Sequence, residues 1–226
     1  MLKTVHFVIT AGPTYEALDN VRRLTNFSTG RLGCELAGFL MNRGHKVRLL
    51  IGEQATYLGP RHATGIDVFS TTGDLHDRFH ALSKERVDAI FHAAAVSDFT
   101  FGKIWLRSES GDLSEVKSGK ISTRSGTLLA ELVPTKKIIS ELRAWFPQTR
   151  IVGWKYEVDG DHASVLEAAR TQMNECRTDA CVANGPAYGK GFGLLKSNGE
   201  CLEVLDATEL FARLEEFANP RRIKEP

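Results

Sequence analysis

Between Gly12 and Gly33 the chain reads GPTYEALDNVRRLTNFSTGRLG, which gathers arginines, an asparagine, small hydroxyl residues and spaced glycines into one stretch. Arginine grips carboxylates and phosphates through paired N–H donors, and a helix start offers free backbone N–H groups and a positive dipole end to the same guests. Arg22, Arg23 and Arg31, with Ser28, Thr29 and Gly30, describe a site for a carboxylate or phosphate, while ordinary helix capping explains Ser28 equally well and any one arginine reads as a solvated side chain. Asn26 cannot titrate. Its chemistry would be that of a fixed amide dipole donating to a developing oxyanion, worth roughly 3–4 kcal/mol, or it is a turn former. Asp98 closes the apolar run VDAIFHAAAVSD, where a carboxylate can hold a ribose hydroxyl or a magnesium ion, or cap a turn. Lys103, Lys117 and Lys120 lie in a polar stretch without a phosphate-loop motif; a lysine there is a triphosphate clamp or a solvated side chain. His92, inside the apolar run, reads as a core histidine. No Ser/His/Asp or Cys/His arrangement follows from the order of residues.

The elements that must position these groups follow from periodicity. Val5–Thr10 is a β-branched run expected to form a buried parallel strand stopping at Ala11-Gly12. A helix is expected from an N-cap at Ser28 or Thr29 to about Arg43, with Leu32, Leu36 and Leu40 inward and Gly44 ending it. Further strands are predicted at Lys46–Ile51, Ile66–Ser70 and Val87–Ala95, with a helix over Asp74–Glu85. The stretch 99–133 breaks this rhythm and reads as a hairpin excursion. Alternation resumes with a helix at Thr135–Trp145, a strand at Arg150–Trp154, a helix at His162–Glu175 and a strand at Asp179–Ala183. A Gly-rich loop over 184–193, a hairpin at Ser197-Asn198-Gly199 and a last helix at Ala207–Phe217 complete the chain. The fold class is α/β: a Rossmann-like, doubly wound, mostly parallel sheet with helices on both faces and an inserted arm. Ligands should bind outside the carboxyl ends of its strands. The loop from Gly12 to Gly30 far exceeds the ~2–6 residues of a plain βα turn, as functional loops do. GxGxxG is missing. Gly12 reads as a turn glycine and Gly33 as a site of close helix packing.

Composition bounds the function. Lys plus Arg (29) nearly balance Asp plus Glu (28), so no overall field argues for nucleic acid or an anionic membrane. Cys34, Cys176, Cys181 and Cys201 form no zinc-like spacing and read as reduced cytosolic thiols. With no long apolar run and no leader, the expectation is one soluble cytoplasmic domain over 1–226 with an excursion at about 99–133.

TAGPTYEALDNVRRLTNFSTGRLG, AAAVSDF (93–99), GKIS (119–122), LVPTKKII (132–139), IVGWKYE (151–157) and TDACVANG (178–185) run in the order found in phosphopantothenate–cysteine ligases, and over nearly the whole chain the sequence resembles that family. The resemblance implies a homodimer and a magnesium-dependent ligation of 4′-phosphopantothenate to L-cysteine, with CTP, or else ATP, as co-substrate. It places Asn26 at the acyl-transfer step, Arg22 in the same loop and Lys120 on a flexible arm. Gly12, Ala94, Ala95, Asp98, Pro134, Thr135, Lys136, Lys137 and Trp154 fall on the nucleotide pocket, with Trp154 where phenylalanine is usual. Arg22, Asn26, Ser28, Thr29, Gly30 and Asn184 fall on substrate positions; Asp179 and Asn184 bound the last parallel strand.

Departures are local. Lys120-Ile121-Ser122-Thr123-Arg124 replaces a lysine cluster, Gln172 and Cys176 stand where lysines are common, and Gly185 stands where an acidic residue is usual. Lys155, Lys190 or Arg170 would then supply the positive charge. The decarboxylase half common upstream is expected to be a separate protein. Competing readings are a nicotinamide-dependent oxidoreductase on the same sheet and a non-catalytic nucleotide-binding relative.

Overall fold

The computed structural model describes residues 4–116, 119–122 and 126–219; Lys117, Ser118, Thr123 and Arg124 lie outside them. In chain order, β1 (His6–Ala11) is followed by β2 (Tyr15–Ala17), β3 (Arg23–Thr25), α1 (Arg31–Asn42), β4 (Lys46–Gly52), β5 (Gly65–Phe69), α2 (Thr72–Leu82) and β6 (Ala89–His92). Next come β7 (Phe99–Arg107), β8 (Leu113–Glu115), β9 (Thr127–Pro134), α3 (Ile138–Trp145) and β10 (Arg150–Tyr156). The last elements are α4 (His162–Cys176), β11 (Ala180–Asn184), β12 (Phe192–Lys196), β13 (Cys201–Val204) and α5 (Ala207–Ala218).

The main sheet has the order β13-β12-β11-β10-β6-β1-β4-β5. Its strands from β5 to β11 pair in parallel, and β12 and β13 add antiparallel at one edge. The inner strands β1, β6 and β11 are apolar runs because both their faces are covered, whereas the edge strand β5 leaves Ile66 and Val68 exposed. On one face Phe7, Ile9, Leu49 and Phe91 pack with Leu36 and Leu40 of α1 and Leu210 and Leu214 of α5. On the other, Val8, Leu50, Ile90 and Ile151 meet Leu75 and Phe79 of α2 and Ile139 and Leu142 of α3, while α4 covers Cys181 and Leu195. The chain leaves β1 for β4 on one side and returns to β6 on the other. The switch point therefore falls between the carboxyl ends of β1 and β6, where a doubly wound sheet opens its crevice.

Several expectations change. The loop after β1 holds an antiparallel ribbon, Tyr15–Ala17 against Arg23–Thr25, too short for any pattern to show. The cap of α1 is Gly30 and not Ser28 or Thr29: its φ of +80° suits glycine, and a Cβ there would come within 3.1–3.3 Å of Gly12 and Ala55. Thr29 still helps, its hydroxyl accepting the Arg31 N–H at 3.2 Å. Gly33 is where a Cβ would meet Ala11 Cβ at 2.7 Å, so helix and strand do pack through it. β6 stops at His92 because the Ala94 N–H turns to the Thr10 hydroxyl (3.0 Å) instead of a neighbouring strand. The 99–133 excursion is a separate three-stranded sheet, β8-β7-β9. α3 begins at Ile138, since Thr135 is held by Asp98 and Ser97, and β12 takes the end of the expected Gly-rich loop.

Candidate active site

The two loops leaving the switch point are stitched together backbone to backbone. Ala95 N–H donates to Gly12 O (3.0 Å), and Thr14 N–H donates to Ala95 O (3.1 Å) beside a parallel bridge between Pro13 and Ala95. The buried Thr14 hydroxyl accepts the Ser97 N–H at 2.8 Å, and its carbonyl accepts the Thr25 hydroxyl at 2.9 Å. Asn26 stands on this seam. Its Nδ2 donates to Ala95 O at 3.2 Å while the side chain stays exposed, so the amide is oriented by one bond with its other N–H open. Gly12 has φ +77°, and a Cβ there would meet Ala55 Cβ at 2.7 Å, which lets the chain turn tightly over the crevice.

The turn between β2 and β3 reaches across to the excursion. Asn20 N–H donates to Gly119 O (2.9 Å), Ile121 N–H donates to Asp19 Oδ2 (3.1 Å), and the Arg22 guanidinium donates to Ile121 O (2.6 Å). Asp19 Oδ1 also accepts the Val21 and Arg22 N–H groups, and Arg22 lies 3.2 Å from Oδ2. Burial pushes the Asp19 carboxyl up, but those backbone donors and the Arg22 charge outweigh it and hold it below the usual carboxylate value. Lys120, exposed, is carried between the two pinned residues. The structure thus brings Arg22 and Lys120 together, as sequence order alone could not.

Asp98 opens the far wall. Its carbonyl accepts the Thr135 N–H (2.9 Å), Thr135 Oγ1 donates to Ser97 O (2.5 Å), and the Asp98 carboxylate is exposed with no hydrogen-bond partner among the described residues. Pro134 ends β9 opposite Phe99, Lys136 is exposed, and Lys137 lies 3.6 Å from Glu175. Trp154 and Asn184 stand on one face of neighbouring strands, near the carboxyl ends of β10 and β11. Trp154 Nε1 and Asn184 Oδ1 are both buried without a partner among the described residues.

The stand-ins for the missing lysines are mostly engaged. Lys155 pairs with Glu157 at 2.9 Å and Arg170 with Glu167 at 3.1 Å, while Lys190 is exposed. Gln172 donates to Trp154 O at 3.3 Å, and Cys176 is buried. Gly185 has φ +118°, and a Cβ would fall 2.4 Å from Glu157 O, which explains the missing acidic side chain. Asp179 lies at the opposite end of the sheet, where it pairs with Arg143 (2.6 Å) and accepts the Ile151 N–H; it belongs to the scaffold. The hydrogen-bonding roles of Thr14, Ser97 and Glu16 are what sequence reasoning missed. Their one signal is polarity inside otherwise buried stretches.

A parallel sheet wound in this order, with helices on both faces, defines a Rossmann-like α/β protein. Residues 2–214 match the family described as the DNA/pantothenate metabolism flavoprotein C-terminal domain, and the chain belongs to it. Among curated relatives it is similar to the coenzyme A biosynthesis bifunctional protein CoaBC of Bacillus subtilis (strain 168), 30% identical over 85% of this chain and 43% of that protein. It is likewise 31% identical to CoaBC of Mycolicibacterium smegmatis, over 91% of this chain and 48% of that one. The chain spans less than half the length of these relatives. Among solved structures, the DNA/pantothenate metabolism flavoprotein from Streptococcus pneumoniae superposes with a TM-score of 0.83 at 26% identity, covering 96% of this chain and all of that one. A Cab2 mutant in complex with phosphopantothenate-cysteine shares the fold, with a TM-score of 0.70 at 18% identity, over 96% of this chain and 89% of that one.

Proposed function

We propose that this chain ligates 4′-phosphopantothenate to L-cysteine through an acyl-nucleotide, with CTP as the nucleotide. One observation carries the reading: the Asn26 amide is bonded to Ala95 at the β6 end, and the segment that holds Lys120 is tied to the same β2–β3 loop through Arg22. The family membership, the CoaBC relatives and the neighbour bound to phosphopantothenate-cysteine support it.

In the first step a substrate carboxylate oxygen attacks the α-phosphorus and the bond to pyrophosphate breaks. That step needs alignment and neutralised charge more than an acid or base, which is work for Lys120 and Arg22. Magnesium would arrive on the nucleotide. Asp98 fits it, since Mg²⁺ is commonly held by one or two carboxylates plus phosphates, and the described residues contain no cluster of His, Cys, Asp and Glu to hold it otherwise. In the second step the cysteine nitrogen attacks the acyl carbon, a tetrahedral oxyanion forms, and the bond to the nucleotide monophosphate breaks. Asn26 supplies the N–H donor to that oxyanion. His92 is no base for it, because burial holds its ring at about 4.

The test is pyrophosphate release with phosphopantothenate and cysteine, comparing CTP with ATP. CTP should support at least tenfold faster release; silence with both nucleotides rejects the ligase reading. In Asn26→Asp, acyl-nucleotide should form at the normal rate while amide formation drops about 10²–10³-fold. Equal loss in both steps removes the role given to Asn26. The same reading makes the protein a cytoplasmic homodimer whose product goes on to a decarboxylation. The exposed Leu129, Leu132 and Val133 of β9 favour the dimer, which light scattering checks.

A further inference from the structure

Lys120 stands between two residues that are both bonded to the β2–β3 turn. Gly119 offers its carbonyl to Asn20, and Ile121 uses its N–H on Asp19 and its carbonyl on Arg22. The Ile121 side chain is itself buried, so the segment is seated and not merely laid across. Asp19 is the hub of this contact: its side chain is 1% exposed, Oδ1 takes two N–H groups of its own turn, and Oδ2 takes the one N–H from the excursion. These bonds commit both carboxylate oxygens to holding the two segments together.

We infer that Asp19 is a positioning residue, whose carboxylate joins the β2–β3 turn to the excursion and thereby sets where Lys120 stands relative to Asn26. The inference rests on the ligase reading, and its logic is geometric. A cation acting on developing charge must be placed to within a fraction of an ångström, and a misplacement of about 1 Å can cost on the order of 10²-fold in rate. The two sides of the contact are 102 residues apart in the chain, so nothing local holds that distance.

Asp19→Asn separates this role from a general structural one. The asparagine oxygen still accepts the Val21 and Arg22 N–H groups, but its NH₂ now faces the Ile121 N–H, donor against donor. The turn survives, with the Asn20–Gly119 and Arg22–Ile121 bonds still in place, and the bond that fixes the Ile121 N–H is lost. Amide hydrogen exchange in the intact chain should rise at least tenfold over 119–122, with protection of β1 and β6 unchanged. Turnover in the pyrophosphate assay should fall at least tenfold with nucleotide KM altered less than threefold, and Asp19→Glu, which keeps the charge, should recover part of the rate. Unchanged exchange over 119–122 overturns the inference, as does faster exchange with full turnover. Loss of protection in β1 and β6 as well would mark Asp19 as merely structural. A wild-type chain that releases no pyrophosphate sinks the ligase reading and this role with it, whereas an active wild type with an indifferent Asp19→Asn sinks the role alone.

Discussion

His92 lies beneath the crevice with Thr10 Oγ1 on its Nδ1 at 2.9 Å and Phe79 packed edge-on at 5.5 Å. Burial lowers its pKa from 6.5 to about 4, so between those values the unfolded chain binds the proton more readily than the folded one. Stability is therefore full above about pH 6.5 and declines as the pH falls towards 4. From pH 7 to 5 this one ring should cost about 2 kcal/mol. Urea unfolding should show that extra loss in the wild type and not in His92→Gln; equal losses would remove the assignment. Gly33→Ala forces its Cβ against Ala11 and Thr10 O, two backbone-anchored neighbours, and should destabilise by about 1–3 kcal/mol in the same assay. The burial of His92 is legible in VDAIFHAAA because apolar residues surround it. Gly30 as the α1 cap is not legible, because what forbids a side chain there is Gly12 and Ala55, brought close only by folding.

The β2–β3 ribbon is held to the body through Glu16. One carboxylate oxygen accepts the Thr72 N–H in the first turn of α2, and the other accepts the Thr100 hydroxyl in β7, each at 3.0 Å. Removing the acceptor strands a buried N–H, which costs roughly 1–3 kcal/mol. Glu16→Ala should lower the unfolding free energy by about 2 kcal/mol in urea. Glu16→Gln keeps an oxygen for Thr72 and should recover most of it; a glutamine as damaging as the alanine would show that charge, not acceptance, matters. The long strands and helices were readable because each repeats its burial pattern over several residues. Three-residue strands such as β2, β3 and β8 carry no such repeat.

α5 closes the molecule by bringing Glu215, 1% exposed, onto the α1–β4 turn. There one carboxylate oxygen meets His45 Nε2 at 2.9 Å and the other meets Arg43 Nε at 2.5 Å. Removing that carboxylate leaves Nε2 of the buried His45 ring without its partner, at roughly 1–3 kcal/mol, while Arg43, 40% exposed, can turn to water. Glu215→Ala should therefore lower Tm by roughly 6 °C, taking about 2–4 °C per kcal/mol for a chain of this size. Glu167→Ala, which removes the exposed partner of Arg170, should change stability by less than about 0.5 kcal/mol. Calorimetry of the two variants checks the contrast, and similar shifts would refute it.

Apolar runs and helical periodicity were enough to establish the alternating strands and helices, the sheet covered on both faces, and the crevice at the carboxyl ends, because burial is written into side chains residue by residue. Tertiary structure alone decided the glycine cap, the seam between Gly12 and Ala95, and the seating of Lys120 against Asp19 and Arg22. The hydrogen bonds among them end, on one side or both, on backbone N–H and C=O groups, which every residue carries alike and which leave no mark on the order of side chains, and the cap depends on neighbours that only folding brings close.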